Sequence, residues 1–134
     1  SAGVPVGVLT APMIPALNDH ELPSLIDQAA RAGARYAGYV MLRLPHGVKE
    51  LFARWLETHF PGKKEKVLNR IRAVRGGNLN DPRFSSRMKG EGIFAGQIAE
   101  MFALACRKSG IAGNKPELTA DNFINNCNRQ LSLF

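Results

Sequence analysis

Basic side chains crowd one stretch of the chain, and phosphate binding is the chemistry that they could perform. Several lie on a helical pattern, where they also serve as its solvated face, but the later ones fall in a polar segment. We therefore predict phosphate contacts from Arg75, Arg83, Arg87 and Lys89. The alternative, that these arginines pair with the protein's own helix ends, stays open. The nine basic residues are Lys63, Lys64, Lys66, Arg70, Arg72, Arg75, Arg83, Arg87 and Lys89.

Polar residues follow each of two apolar segments that resemble strands. Asn18 and Asp19 come after the first, and His46 comes after the second. Ligands bind at the carboxyl ends of parallel strands, so these positions are candidates for a substrate site. A helix-capping role explains Asn18 and Asp19 equally well. The sequence contains no glycine-rich phosphate loop, serine elbow or zinc-ligand spacing.

The carboxyl terminus, QLSLF, is the most specific short signal. It matches the pentapeptide by which many DNA repair and replication proteins bind the bacterial sliding clamp. Leu131, Leu133 and Phe134 would fill apolar pockets, and Gln130 would hydrogen-bond to backbone. The alternative is a tail that folds back onto the protein's own apolar surface.

Length, composition and charge favour one modest domain with an anionic partner. The chain has 134 residues, 45% of them hydrophobic, and a net charge of +7. No apolar run is long enough to span a bilayer, and no signal peptide is evident. Cys106 and Cys127 form neither a disulfide framework nor a metal motif, so we expect a reduced, cytoplasmic setting. Because residue 1 is Ser, we expect the start to have been cut or processed.

The first third of the chain predicts a βαβ unit. The segment from Val4 to Pro15 and the segment from Tyr36 to Pro45 are rich in β-branched and apolar residues, which is typical of strands buried on both faces. Between them lies a helical pattern that Asn18 or Asp19 would cap and Gly33 would end. Two strands do not make a stable sheet, so this unit requires neighbours.

The remainder of the chain has helical periodicity. We predict helices over 48–60, 63–75 and 93–109, a polar loop over 78–92, and Thr119 as a fair N-cap for a short helix. Gly90 and Gly92 would let the loop backbone approach a partner closely. The predicted organisation is strands over 1–45, a helical region over 46–113 and a tail over 114–134.

The order of these segments resembles the C-terminal part of the radical SAM proteins related to spore photoproduct lyase, which are described as DNA repair photolyase-like. The resemblance covers roughly 4–111. It is carried by the combination of APMIPALND, GYVMLRLP and RGGNLNDPRF.

The resemblance implies an α/β fold in which 4–45 supplies the last two strands of a partial (βα)6 barrel, followed by a mostly helical region. Tyr39, Val40, Met41 and Leu42 would border the adenine of S-adenosylmethionine, largely through backbone. Arg43 and His46 would face the substrate. Family members bind a [4Fe–4S] cluster through a Cys-x3-Cys-x2-Cys motif, which this sequence lacks, so the cluster and most of the S-adenosylmethionine site would lie upstream of Ser1.

Two functions follow as hypotheses. In the first, the chain is the C-terminal fragment of a radical SAM iron–sulfur enzyme that acts on nucleic acid, and it is inert alone because the cluster motif is missing. Family members reductively cleave S-adenosylmethionine to a 5′-deoxyadenosyl radical. In the second, the chain is a non-enzymatic, basic module that binds nucleic acid and the sliding clamp. The first also predicts that the chain self-associates or rearranges its N-terminal segment to cover the sheet, because a severed barrel exposes strand edges and an apolar sheet face.

Overall fold

The protein has a mixed α/β fold. The computed structural model describes residues 4–112, 119–121 and 123–124. Within these ranges it forms a parallel sheet of two strands and four α-helices. The elements are β1 (Gly7–Met13), α1 (Leu22–Arg31), β2 (Tyr36–Met41), α2 (Val48–His59), α3 (Lys64–Ala73) and α4 (Gly92–Ser109).

The predicted βαβ unit and the three later helices are confirmed, with differences at their ends. Both strands are shorter than predicted: β1 begins at Gly7, and β2 ends at Met41. Gly33 (φ 95°) follows α1, and Gly110 (φ 65°) ends α4 in the left-handed conformation that favours glycine. The short helix predicted after Thr119 falls mostly outside the described residues.

The two strands pair in parallel from Gly7 opposite Tyr36 to Thr10 opposite Tyr39. The register then shifts before Met13 pairs with Met41, at the point where Pro12 has no N–H to give to the ladder. No further strand of the described ranges pairs with the outer edge of β1.

The outer edge of β2 is covered by irregular backbone instead of a strand. Near its start, the N–H of Ala37 donates to the carbonyl of Ala112 at 2.8 Å. Near its end, the N–H of Met41 donates to the carbonyl of Met88 at 2.9 Å. The described residues therefore cover one edge of the sheet and leave the other without a paired strand.

Within the described part of the chain, α1 and α4 pack on one face of the sheet, and no element packs on the other. The prediction that both strands are buried on both faces is wrong for this chain, because no described layer covers the opposite face. There, Leu9 is 64% exposed and lies opposite Gly38. The covered face contributes to the main core, whose buried members include Met13, Leu22, Ile26, Ala37, Tyr39, Met41, Ile98 and Phe102.

A second core joins α2 and α3 to the segments that leave the two strands. From α2, only Leu56 is fully buried there, beside Val67 and Ile71 of α3. The apolar side chains of α2 are therefore only partly buried: Leu51 and Trp55 are exposed. Among the described residues, no helix combines the length and the apolar composition needed to cross a membrane.

Candidate functional site

The segment between α3 and α4 is held by one buried arginine. We call residues 78–91 the anchored loop. Arg75 is only 1% exposed. Its Nη1 donates to the carbonyls of Ser86 (3.0 Å) and Arg87 (2.8 Å) in the loop, and its Nη2 donates to those of Met41 (3.2 Å) and Leu42 (2.7 Å) at the end of β2.

Arg75 therefore ties the anchored loop to the sheet. Burial lowers the pKa of its guanidinium, an effect that the nearby Asp81 carboxylate opposes. With its side chain buried and bonded to four carbonyls, Arg75 cannot meet a phosphate at the surface. The sequence prediction that it contacts nucleic acid is corrected by this burial: Arg75 is a structural residue.

A second network fixes the start of the anchored loop around Asp81, whose side chain is buried. Arg83 donates two hydrogen bonds to this carboxylate, from Nε to Oδ1 and from Nη2 to Oδ2, each at 2.9 Å. The Ser86 hydroxyl also donates to Oδ2. Nη2 of Arg83 reaches Glu91 as well, at 2.8 Å. These bonds stabilise the ionised carboxylate and hold the pKa of Asp81 well below its usual range.

The lowered pKa of Asp81 predicts a pH dependence of stability. Because the folded-state pKa lies below the unfolded value of about 3.9, the stabilisation is present above that pH and is lost as the pH falls through the folded pKa. Urea unfolding from pH 7 to pH 2 should show the free energy of unfolding falling in acid. Asp81→Asn should be less stable at pH 7 and should lack part of that acid slope.

Asp27→Asn is the matched control, because Asp27 makes only an exposed ion pair with Arg31 within α1 (2.8 Å). It should retain the acid slope of the wild type. An Asp81→Asn variant whose acid slope equals that of the wild type would contradict the role given to this network.

At the tip of the anchored loop, an aromatic ring and a cation are presented together. Phe84 is 82% exposed. The guanidinium carbon of Arg87 lies 3.6 Å from the centre of its ring, a cation–π contact that orients both groups. An exposed aromatic face beside a cation is the combination that stacks on bases and contacts phosphates in single-stranded nucleic acid.

The four residues predicted to contact phosphates thus differ in their exposure and in the partners that they already have. Arg87 is at the tip beside Phe84, and Arg83 is more than half exposed despite its two carboxylate partners. The alternative interpretation, pairing with the protein's own groups, describes Arg83 and Arg75 well. Phe84 was missed by the sequence analysis, although a lone phenylalanine within a polar, basic loop could have indicated it.

Lys89 joins the far end of the anchored loop to β2. Its Nζ donates to the carbonyl of Tyr39 at 3.1 Å and lies 3.5 Å from the centre of the Tyr39 ring. Burial lowers the pKa of this ammonium group. Gly90 comes next, at φ 76°, where an added Cβ would lie 3.0 Å from the carbonyl oxygen of Val74. The close approach that Gly90 allows is therefore made to the protein's own α3 end.

The residues expected to border S-adenosylmethionine are largely engaged within the chain. The side chains of Tyr39 and Met41 point into the helix-covered core. The N–H groups of Met41 and Leu42 donate to the carbonyls of Met88 and Met13. Of the four predicted residues, Val40 is the one whose position in β2 alternates with the buried residues and so faces the open side of the sheet.

Asn18 and Asp19 fasten the turn that follows β1. Oδ1 of Asn18 accepts from the N–H of Ile14 (2.7 Å), and Oδ2 of Asp19 accepts from that of Ala16 (2.9 Å). The predicted cap on α1 is not made: that helix begins after a 3-10 turn, and its N-cap, Glu21, makes no side-chain cap bond. These two side chains accept hydrogen bonds from the turn after β1 instead of capping the helix.

Arg43 and His46 are both exposed beyond the carboxyl end of β2. The charge of Arg43 is close enough to Arg75 to contribute to its lowered pKa. His46 adopts φ 47° in the turn before α2. Gln130, Leu131, Leu133 and Phe134, the predicted clamp-binding residues, lie outside the described residues.

The residues of this chain do not fit an iron–sulfur cluster. The sequence has two cysteines. Cys106 lies on α4 and is buried in the main core, and this burial raises the pKa of its thiol. Across the described ranges, no three His, Cys, Asp or Glu side chains are grouped to hold a metal ion. No family model, no curated protein and no solved structure matches this chain.

Proposed function

We propose that this chain is the C-terminal part of a radical SAM iron–sulfur protein that acts on nucleic acid in the cytoplasm. The observation that carries the proposal is the one-sided sheet. Two parallel strands have helices on one face, while the other face carries apolar side chains that no part of the described ranges covers. Parallel sheets are normally covered on both faces.

The direction of the open face supports a barrel. In barrels of parallel strands the helices lie outside and the opposite face of each strand points inward. Here α1 and α4 mark the outer face, so Leu9, Gly38 and Val40 would line the interior. Within the described ranges, no strand pairs with the outer edge of β1, so a preceding strand could pair there, whereas the outer edge of β2 is covered at Ala37 and Met41. The chain would thus end the barrel sheet at β2.

Within such a protein, this chain would supply the last barrel strands and the anchored loop, and the rest would supply the cluster and the S-adenosylmethionine site. Because the N–H groups of Met41 and Leu42 are already hydrogen-bonded within the chain, only the open face of β2 would be left to contact S-adenosylmethionine. We therefore expect the purified chain, alone and under reducing anaerobic conditions, to yield no 5′-deoxyadenosine from S-adenosylmethionine.

The open sheet face leads to a prediction about self-association. Apolar surface and a free strand edge favour contact between copies, so the apparent mass of the chain in light scattering should rise with concentration. Leu9→Lys places a charge in the middle of this face and should hold the chain as a monomer. Leu51→Lys is the matched control, because Leu51 is 66% exposed on α2, away from the sheet.

Leu51→Lys should associate as the wild type does. The proposal of an incomplete barrel would be contradicted by a wild-type chain that stays monomeric at high concentration. It would also be contradicted by a Leu51→Lys variant that dissociates as readily as Leu9→Lys.

A second candidate function is a non-enzymatic module that binds nucleic acid and the sliding clamp. It is favoured by the anchored loop, which is held by contacts within this chain alone and presents Phe84 and Arg87 without help from missing strands. Both functions include the proposed clamp contact. Deleting Gln130 to Phe134 should abolish binding to a purified bacterial clamp, and unchanged binding would remove that partner from either function.

A further inference from the structure

A cavity of about 300 Å³ lies between the turn after β1, α3 and the start of α4. Its lining includes Asp19, Lys66, Arg70, Phe94 and Gln97, so two cations and one carboxylate share the walls with an amide and an aromatic ring. The volume is at the lower end of the roughly 300–1,000 Å³ found for small-ligand sites. A single planar, charged unit fits this size better than a long polymer segment does.

Arg70 has the geometry of a stacking platform. Its guanidinium carbon lies 3.4 Å from the centre of the Phe94 ring, a cation–π contact that holds the guanidinium over the ring. Arg70 is half-buried, and it makes no ion pair with any described residue. Arginine planes held in this way are among the surfaces on which unstacked nucleobases rest.

The other polar groups of the cavity suit the rest of a nucleotide. The Asp19 carboxylate accepts one N–H on each oxygen, from Ala16 and His20, and retains further acceptor capacity for the edge of a base. The Gln97 amide offers both donors and an acceptor. Lys66 is exposed and, like Arg70, has no ion-pair partner in the described ranges, so its ammonium group is free for a phosphate.

We propose that this cavity binds one nucleotide unit of a single-stranded nucleic acid, with its base on the guanidinium of Arg70 and its phosphate on Lys66. The proposal rests on the nucleic-acid-directed function proposed above. It gives the nucleic acid a second contact point, in addition to the anchored loop. The loop joins α3 to α4, the two helices that line the cavity.

The test compares two labelled strands of equal length, about twelve nucleotides of oligothymidylate and the corresponding abasic strand, by fluorescence anisotropy with the whole chain. Arg70→Lys keeps the charge but removes the plane. It should weaken binding of oligothymidylate about fivefold or more and change binding of the abasic strand less than twofold. Arg72→Lys, on the same helix but outside the cavity, should leave both affinities unchanged.

Lys66→Gln should weaken both strands equally and reduce the salt dependence of binding by about one phosphate contact. An Arg70→Lys variant that affects both strands equally, or neither, would overturn the stacking role. If Phe84→Ala weakens oligothymidylate binding while Arg70→Lys does not, the cavity proposal fails and nucleic-acid binding stands. If the wild-type chain binds neither strand, the nucleic-acid-directed function fails as well.

Discussion

Replacing Arg75 by methionine is expected to lower the free energy of unfolding by about 3 kcal/mol. The substitution leaves the carbonyls of Met41, Leu42, Ser86 and Arg87 without their donor, and two of those bonds are fully buried. Methionine avoids the desolvation cost of a buried guanidinium, so the expected loss is smaller than the sum of four charged hydrogen bonds.

Urea unfolding followed by circular dichroism measures this loss, and two variants control for it. Arg72→Met, one helical turn away, removes a half-buried side chain whose Nη1 makes an exposed hydrogen bond to Asn69 (2.9 Å), and it should cost less than about 0.5 kcal/mol. Arg75→Lys keeps the charge but cannot reach both pairs of carbonyls, so it should be nearly as destabilising as Arg75→Met. Equal stability of Arg75→Met and the wild type would mean that Arg75 does not hold the anchored loop.

Phe84→Ala should weaken the binding of single-stranded DNA about tenfold, because base–aromatic stacking contributes roughly 1–3 kcal/mol per base. The ring is 82% exposed, so its removal should change the free energy of unfolding by less than about 0.5 kcal/mol. An effect on binding without an effect on folding would separate a contact residue from a structural one. Fluorescence anisotropy at a fixed salt concentration measures the change in affinity.

Two further substitutions at this position distinguish stacking from apolar contact. Phe84→Trp keeps an aromatic face and should bind at least as well as the wild type. Phe84→Leu keeps apolar bulk without a π-face and should bind as weakly as Phe84→Ala. Wild-type affinity in Phe84→Leu would exclude stacking at the loop tip.

The helices and the βαβ order could be predicted because local sequence determines them. Gly33 and Gly110 end helices through backbone conformations that other residues avoid, and the spacing of Val67, Leu68 and Ile71 defines the buried side of α3. The burial of β1 could not be predicted in the same way. Its composition is that of a strand with two buried faces, and whether a second layer is present depends on residues beyond the strand itself.

The roles of the charged residues were the hardest to predict. Arg75 belongs to a run of basic residues and is indistinguishable in sequence from Arg72, yet the fold buries the first and exposes part of the second. What separates them is a tertiary arrangement, the convergence of four carbonyls from β2 and the anchored loop on one point. Asn18 and Asp19 illustrate the same limit, because the turn before the helix competes for the side chains that were expected to cap it.

The most direct test of the proposal that this chain completes a radical SAM protein is a measurement of iron content and S-adenosylmethionine cleavage on the product of the whole gene. Purified anaerobically, it should contain about four irons per chain and, with a reductant, should convert S-adenosylmethionine to 5′-deoxyadenosine. The 134-residue chain treated identically should do neither. A longer protein without a cluster and without cleavage, or a 134-residue chain that forms 5′-deoxyadenosine by itself, would contradict the account.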